Sequence, residues 1–447
     1  MRINPQNFDV IKTYFYFLLT SMHHHKNIPL CSALIFVKTT SNGTPEIKDI
    51  YPKELDLANE KNEFDSIINA SKNNSTLSFI CFFNTRSYYC TALNFQQSNA
   101  FYSIVTLSKY PFYDFFRFML NAAKQVFDNG YSFKTPYEKY NCIKSCISSF
   151  PSQSFHDLIP VQDQENPQPC IKLTIQILNV TFLYNFSHHS FTYDKFHPQE
   201  FFTQDEIMSV WHSLFLNEPV LIVTKNQERG SLAVLAAASL FAPLPFKDEF
   251  CLWLTRDDDR YDEIVKGRSQ ILLCATHPDN LSKVKHYFKY IIEIKTNIEN
   301  NDSSYDLEIF KIMKRTLIIV GDVLTNYSIE KDPYYNLIEG EIDEHLISNA
   351  LKKYPPEYVL PSVAEIRDFA QTQSFKEWRR NLNPGEDYRD IFLNLDPETL
   401  FKNRSIGDLR RIEKYLGLMI ENYSRDAHVD AVLKHHRKVV HQMISCN

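Results

Sequence analysis

The alternation of apolar and polar positions is most regular between residues 217 and 294. Short apolar runs of strand length lie at 220–223, 251–255, 270–275 and 290–294, with polar turns and helical segments between them. A helix is predicted over 232–240, where Ala and Leu predominate, with Ser231 as its N-cap, and another over 281–290. The acidic turn 257–260 is predicted to lead directly to the third strand. The resulting order is strand, helix, strand, strand, helix, strand, which is typical of a mainly parallel sheet covered by helices.

Upstream of this region the pattern has the two-residue period of antiparallel strands. An amphipathic helix is predicted over 112–127, directly after the last of these strands. The N-terminal part is therefore predicted as an antiparallel sheet with a packed helix. Its five strands are predicted at 30–37, 47–52, 77–83, 88–93 and 101–108.

Between these two regions the apolar period is interrupted. Pro, Ser, Gln and Asn accumulate from 150 to 169, and 129–170 is predicted as a linker. A strand or pair of strands at 171–184 and a loop at 185–204 follow it. A helix at 205–216 precedes the first strand of the parallel sheet.

After residue 294 the apolar positions mostly recur at helical spacing. A polar loop is predicted at 297–304, and 317–322 is predicted as an added strand or as the exposed product of a short insertion. Helices are predicted over 341–351, 363–372, 375–380, 397–402, 406–422 and 426–444. The fold class is thus α/β (α+β), and the predicted boundaries are 28–150, 151–200, 201–296 and 305–447.

Composition narrows the class of protein. The chain has 447 residues, a hydrophobic fraction of 44% and a formal net charge of −6. The protein therefore has no overall positive charge that would hold it on nucleic acid or an anionic membrane, but local basic patches are compatible with this composition. The nine cysteines are scattered, several in apolar runs, which favours free thiols in a reducing cytosol. The apolar stretch 14–19 is too short for a spanning helix, and no signal peptide is predicted.

The motifs of covalent catalysis are missing from the sequence. The turn at Gly230 has no Lys-Ser or Lys-Thr pair, and there is no Gly-x-Ser-x-Gly elbow and no His-Glu-x-x-His. Cys142 and Cys146 have no second thiol pair, and the histidines at 23–25 have no acidic partner at ligand spacing. We therefore predict no catalytic residue, no metal and no cofactor.

Several phrases of the chain resemble one family in order. Segments 216–223, 241–244 and 271–278 resemble the central part of a DENN domain, and 375–380 resembles its downstream part. The phrases 50–52, 82–83 and 105–111 resemble its upstream, longin-like part. The chain is most similar to subfamily six of the DENN proteins. This resemblance implies a longin-like N-terminal lobe, a central doubly wound α/β lobe and a C-terminal helical lobe.

The resemblance implies a guanine nucleotide exchange factor for a Rab-type small GTPase, bound preferentially in its GDP-bound or nucleotide-free form. It also implies a cytoplasmic protein that associates peripherally with membranes, endosomal ones included, and no nucleic-acid partner. The binding groove is expected between the first two lobes. The candidate partner-binding residues are Ser108, Lys109, Tyr110, Asn226, Gln227, Arg229, Arg256, Asp257 and Asp258.

Two other functions remain open from sequence. A GTPase-activating protein would supply an arginine finger, for which this chain has Lys109 at the expected strand end and Arg86 not far away in sequence. A non-catalytic effector or adaptor would bind the GTP-loaded GTPase. An exchange factor binds the nucleotide-free GTPase most tightly, whereas an activating protein and an adaptor prefer the GTP-loaded form, so the preferred nucleotide state distinguishes exchange from both alternatives.

Overall fold

The computed structural model describes most of the chain in two compact units, one within Met22–Lys314 and one within Arg315–Asn447. Among the described residues, no helix is both long and apolar enough to cross a membrane. The described residues are 30–39, 44–53, 78–97, 100–129, 131, 133–150, 171–186, 196–242, 244, 246–294, 310–313, 315–317, 319–320, 334, 344–352, 361–380, 396–402, 404–422 and 427–446.

The first unit opens with a five-stranded antiparallel sheet in the order β2-β1-β5-β4-β3. All five strands lie close to their predicted positions, because each carries the apolar alternation of a sheet with buried faces. One face packs on helices, where the Phe36 and Tyr140 rings lie 5.1 Å apart. The strands are β1 Ala33–Thr39, β2 Pro45–Tyr51, β3 Ser78–Asn84, β4 Tyr89–Gln97 and β5 Ala100–Ser108.

Two helices follow this sheet, α1 Tyr113–Asp128 and α2 Pro136–Ser148. The first confirms the predicted amphipathic helix. The second occupies part of the predicted linker, so the linker prediction is wrong for these residues. Thr135 accepts a hydrogen bond from the Glu138 N–H, and Pro136 takes the first helical position. Both are ordinary features of a helix start, but the Pro- and Ser-rich stretch that follows favoured a linker prediction. Residues 151–170, the rest of that linker, lie outside the described residues.

An antiparallel hairpin and a capped helix lead into the second sheet. The hairpin consists of β6 Ile171–Ile177 and β7 Val180–Phe186, which confirms the predicted pair of strands. Helix α3 Gln204–Phe215 begins with a capping box between Thr203 and Glu206. The predicted loop before α3 contains one short 3-10 turn, Pro198–Glu200.

The second sheet has four strands, all parallel, in the order β11-β8-β10-β9, which confirms the parallel sheet. Helices join every pair of consecutive strands, so the predicted direct turn between the second and third strands is wrong. Parallel strands need such a crossover. The elements are β8 Val220–Val223, α4 Gln227–Ser239, β9 Phe250–Leu254, α5 Asp259–Val265, β10 Leu273–Thr276, α6 Leu281–Val284 and β11 Tyr290–Glu293.

The start of α4 differs from the prediction as well. Its N-cap is Asn226, which accepts a hydrogen bond from the Arg229 N–H at 3.0 Å. Ser231, the predicted cap, lies inside the helix and donates to the Glu228 carbonyl. The polar residues before the Ala-rich run therefore form the first turn of the helix.

Asn84, the last residue of β3, joins the two sheets. Its Nδ2 donates to the Phe250 carbonyl at 2.7 Å, and its Oδ1 accepts from the Leu252 N–H at 3.0 Å. One side-chain amide thus pairs with the edge of β9 as a peptide group of a neighbouring strand would. The outer edge of β9 is thereby covered, and the antiparallel sheet is held beside the parallel one.

The second unit is helical in its described part. Residues 315–317, 319 and 320 are also helical, so the predicted strand is wrong at 317, 319 and 320, while 318, 321 and 322 lie outside the described residues. A short apolar run suits a buried helix as well as a strand. Tyr334, Leu416 and Leu433 belong to its core. Its helices are α7 Glu344–Leu351, α8 Val363–Phe369, α9 Gln373–Arg380, α10 Pro397–Phe401, α11 Ile406–Asn422 and α12 Ala427–Cys446.

Candidate partner-binding site

The winding of the parallel sheet reverses between the neighbouring strands β8 and β10. The connection from β8 runs to one edge of the sheet and the connection from β10 to the other. Because such crossovers are right-handed, α4 and α6 lie on opposite faces, and the loops that follow β8 and β10 leave in opposite directions. Open parallel sheets bind ligands at such a point, outside the carboxyl ends of the strands.

Two of the predicted segments meet at this carboxyl edge. The Thr224 N–H donates to the Thr276 carbonyl at 3.1 Å, which aligns the loops after β8 and β10. Arg256, after β9, donates from Nε to Asn280 Oδ1 at 2.9 Å and from Nη2 to the Asp279 carbonyl. The loops that carry Asn226 and Arg256 therefore belong to one surface, which we call the carboxyl edge (residues 224–229, 255–258 and 277–280).

Asp258 is not available to a partner, so its assignment as a contact residue is wrong. Its side chain is 0% exposed and forms a two-point ion pair with the 2% exposed Arg260. Arg260 donates from Nε to Oδ1 at 2.9 Å and from Nη2 to Oδ2 at 2.7 Å, and Oδ1 also accepts the Arg260 backbone N–H. Asp258 is the N-cap of α5. Its neighbour Asp257 is exposed.

Gln227 and Arg229 are partly or wholly buried at the start of α4. Gln227 is 3% exposed, and neither its Oε1 nor its Nε2 has a hydrogen-bond partner in the described structure. Arg229 donates from Nη2 to the Glu200 carbonyl at 3.2 Å, and its guanidinium lies over the Phe201 ring. Burial raises the pKa of Glu228, which lies between them. Gln227 is thus an uncompensated buried amide, and Arg229 is held against the protein.

The packing under this helix start leaves no space. A Cβ added at Gly230 would lie 2.7 Å from the Trp253 ring and 2.9 Å from the Thr224 methyl group. Glycine is therefore required by the close approach of α4 to β9, and not by a phosphate loop.

The remaining predicted residues lie at the end of β5. Ser108 is buried; its Oγ donates to the Leu30 carbonyl at 3.0 Å and accepts from the Tyr110 N–H, so its assignment as a contact residue is wrong. Lys109 is exposed, with Nζ 3.8 Å from the centre of the Tyr88 ring and 3.1 Å from the Ser87 carbonyl. Tyr110 is half-buried, and burial raises the pKa of its hydroxyl.

Lys109 belongs to a second surface, at the junction of the two sheets. The turn that carries Arg86 and Ser87 follows Asn84, which contacts the amino-terminal half of β9. Arg86 forms an ion pair with Glu263 of α5, and their side chains are 52% and 41% exposed. We call Arg86, Ser87, Tyr88, Lys109 and Glu263 the junction surface. It lies beside the amino-terminal half of β9, whereas Arg256 follows the carboxyl end of that strand.

The ion pair between Arg86 and Glu263 was missed by the sequence analysis. The two residues are 177 positions apart, and neither stands in a motif. No local signal in the sequence could have found them.

The seven cysteines whose side chains the structure describes are all buried and free. Cys251 and Cys274 are direct neighbours on β9 and β10, and both are buried. Burial, and next its interaction with the Cys251 thiol, raise the pKa of the Cys274 thiol well above its usual range, which disfavours the reactive thiolate. Cys31, Cys81, Cys90, Cys142 and Cys146 are free thiols too. Across the described ranges, no three His, Cys, Asp or Glu side chains are placed to hold a metal ion.

No protein-family model matches this chain, and no curated protein matches it. The case for a function therefore rests on the sequence phrases and on the two surfaces.

Proposed function

We propose that the chain is a guanine nucleotide exchange factor of the DENN type that promotes GDP release from a Rab-type small GTPase. The observation that carries the proposal is the order of the parts. An antiparallel five-stranded sheet with packed helices comes first, a parallel four-stranded sheet second and a helical unit last. This is the order that the resemblance implies for longin-like, central and downstream lobes.

The chemistry of exchange needs surface and not a tuned acid or base. A GTPase that holds nucleotide at nanomolar affinity has about −12 kcal/mol of binding free energy. An exchange factor offsets a comparable amount by binding the nucleotide-free form more tightly than the loaded form. Such a factor displaces the switch loops of the GTPase from the phosphate and magnesium site. Two exposed polar surfaces on a stiff scaffold suit this task.

The junction surface is the better of the two for this role. Lys109 and Arg86 are exposed and come from the antiparallel sheet and its turns, and the partly exposed Glu263 comes from α5, which covers the parallel sheet. Asn84 fixes the sheets to each other directly beneath them. A GTPase seated there contacts both lobes at once, so binding energy from one lobe aids displacement of a switch loop by the other.

The proposal is tested by a fluorescent-GDP release panel across the Rab proteins of the source organism, with the intact chain. We expect faster release from one cognate Rab, and tightest binding when nucleotide is absent. Lys109→Glu is expected to slow release about tenfold, roughly the loss of one charged contact of about 1.4 kcal/mol. Its unfolding midpoint should stay unchanged, because exposed charges contribute little to stability.

The matched control is Lys134→Glu, which makes the same charge change on an exposed residue of the same unit. Lys134 follows the far end of the 16-residue helix α1, which is about 24 Å long and starts near Lys109. Release by this variant should equal that of the unchanged chain. If no Rab in the panel releases GDP faster, the proposal fails.

The same panel separates the alternatives. Faster GTP hydrolysis with unchanged GDP release would indicate an activating protein, and tight binding to GTP-loaded Rab with neither activity would indicate an effector or adaptor. Arg86, the arginine nearest the expected finger position, is paired with Glu263. In the proposed function the chain acts in the cytoplasm and is recruited peripherally to membranes, endosomal ones included.

A further inference from the structure

The sign of the charge reverses in one part of the central sheet region. Residues 265–289 contain five Lys or Arg residues and one Asp, whereas the whole chain has a net charge of −6. The basic residues follow α5 and lie in and after α6. The segment is therefore locally basic, and it follows the acidic residues Asp259, Asp262 and Glu263 of α5.

The fold gathers these residues on one side of the sheet. Tyr261 and Ile264 of α5 and Val284 of α6 pack in the same core cluster with Leu221, so both helices cover one face. The Tyr287 hydroxyl donates to the Ser269 carbonyl at 2.8 Å and lies 3.1 Å from the Ile271 carbonyl, which ties the segment after α6 to the segment after α5. We call the exposed residues Lys266, Arg268, Lys283, Lys285, His286 and Lys289 the basic face.

Half of the basic face lacks compensation from the protein itself. Lys266 pairs with Asp262 at 3.3 Å, and Lys289 lies 3.9 Å from Glu218. In the part of the chain that the structure describes, Arg268, Lys283 and Lys285 have no acidic partner within ion-pair distance. Like charges held together without partners repel one another, so an external anion would stabilise this arrangement.

Exposed aliphatic side chains accompany these charges. Val265 is 37% exposed beside Lys266, and Ile291 of β11 is 39% exposed. Ile291 is in register with Leu221, which places its side chain on the face that α6 covers. Lysines beside exposed aliphatic groups suit the surface of an anionic bilayer, whose headgroups attract the charges while the boundary region accepts the apolar atoms. A nucleic-acid backbone offers nothing to the aliphatic groups.

We propose that the basic face docks the chain peripherally on anionic lipid bilayers. The attraction is diffuse, because ammonium groups on flexible stems act as point charges and do not form a two-point headgroup clamp. Docking rests on the peripheral membrane recruitment that belongs to the proposed function, but it requires no exchange activity, so failure of docking and failure of exchange are distinguishable. The partner is phosphate-bearing lipid at moderate surface charge.

The test is flotation of the intact chain with vesicles. We expect binding to phosphatidylcholine vesicles that contain about 30 mole percent phosphatidylserine, and none to phosphatidylcholine alone. Raising the salt from about 0.05 M to about 0.5 M should release the chain, since screening shortens the reach of surface charges.

The double change Lys283→Glu with Lys285→Glu should weaken partitioning at least about 30-fold, since each basic residue near the surface contributes about fivefold. The control is Lys414→Glu with Lys438→Glu, two exposed lysines of the second unit that change the net charge by the same amount. Control partitioning should match the unchanged chain. Equal partitioning of the two double variants, or no binding to phosphatidylserine vesicles at low salt, overturns the proposal.

Two further arms identify the source of the anion. Phosphatidylserine and phosphoinositide vesicles matched in surface charge should bind equally; binding to the phosphoinositide alone would mean a headgroup pocket and overturn diffuse docking. Displacement of bound chain from vesicles by equal charge of double-stranded RNA would likewise overturn a bilayer as the partner. GDP release in solution by Lys283→Glu with Lys285→Glu should remain normal, which separates this result from any failure of the exchange proposal.

Discussion

The carboxyl edge of the parallel sheet and the junction between the two sheets use the same polar groups in opposite surroundings. Each has one ion pair between an arginine and a carboxylate. At the carboxyl edge Asp258 and Arg260 are almost completely buried, whereas at the junction Arg86 and Glu263 are about half exposed. A buried pair is costly to break because one charge stays behind without water, while an exposed partner is simply rehydrated.

Both regions also have buried amides: Asn84 at the junction, and Asn280 and Gln227 at the carboxyl edge, where the Asn280 amide is hydrogen-bonded and the Gln227 amide, among the residues described, is not. Asn84 at the junction has both amide atoms bonded to the β9 backbone, while Gln227 at the carboxyl edge has neither atom bonded. The junction therefore combines a rigid base with exposed charges. The carboxyl edge is mainly scaffold, and it includes one destabilising side chain.

The largest expected effect comes from the buried pair. Asp258→Ala leaves the Arg260 guanidinium buried and removes the N-cap of α5, so we expect a loss of about 3–5 kcal/mol in the free energy of unfolding. Urea unfolding followed by tryptophan fluorescence measures this free energy. The control is Asp257→Ala, which changes an exposed carboxylate and should alter the free energy of unfolding by less than about 0.5 kcal/mol. Equal losses in the free energy of unfolding for Asp258→Ala and Asp257→Ala would contradict the contrast between a buried and an exposed carboxylate.

Asn84→Ala is expected to cost about 2–4 kcal/mol, because the Phe250 carbonyl and Leu252 N–H both lose a buried partner. Hydrogen exchange at the Leu252 amide should accelerate. Asn226→Ala, which removes an exposed helix cap, serves as the control and should cost about 1 kcal/mol. Unchanged protection of Leu252 would mean that Asn84 does not hold the sheets together.

Gln227→Leu should change the free energy of unfolding in the opposite direction and stabilise the protein. It removes an amide that has no partner, so we expect a gain of about 1–3 kcal/mol in the free energy of unfolding. Thermal unfolding and GDP release are measured together, and release should remain unchanged. Slower release in a more stable variant would move the GTPase contact from the junction surface to the carboxyl edge.

The smallest effect on stability is expected at the exposed pair. Arg86→Ala should cost less than about 1 kcal/mol, because water replaces Arg86 as the partner of the exposed Glu263 carboxylate. In the proposed function it should nevertheless slow GDP release about tenfold, a loss of one contact worth about 1.4 kcal/mol. Lys48→Ala, which removes the exposed pair with Glu46, is the control and should alter neither quantity. A large loss of stability with normal release would reverse the roles assigned to the two regions.

The sequence alone determined the order and type of most elements. The antiparallel strands, the parallel sheet and the helix Ile406–Asn422 were predicted because their apolar periods are local and regular. The missed elements include α2 and α5, besides the described helical residues between 317 and 320, which were predicted as a strand. Helices α2 and α5 begin at ordinary caps, Thr135 and Asp258, inside stretches whose polar composition also suits a loop or turn.

Burial and contact were decided only by the tertiary structure. Nothing near Ser108 or Asp258 in the sequence shows that their side chains point inward, since a short polar residue at the end of a strand is equally suited to a surface loop. Asn84 meets β9 across 166 residues, and Arg86 meets Glu263 across 177. Such contacts arise from the way two sheets pack side by side, and local periodicity contains no information about that packing.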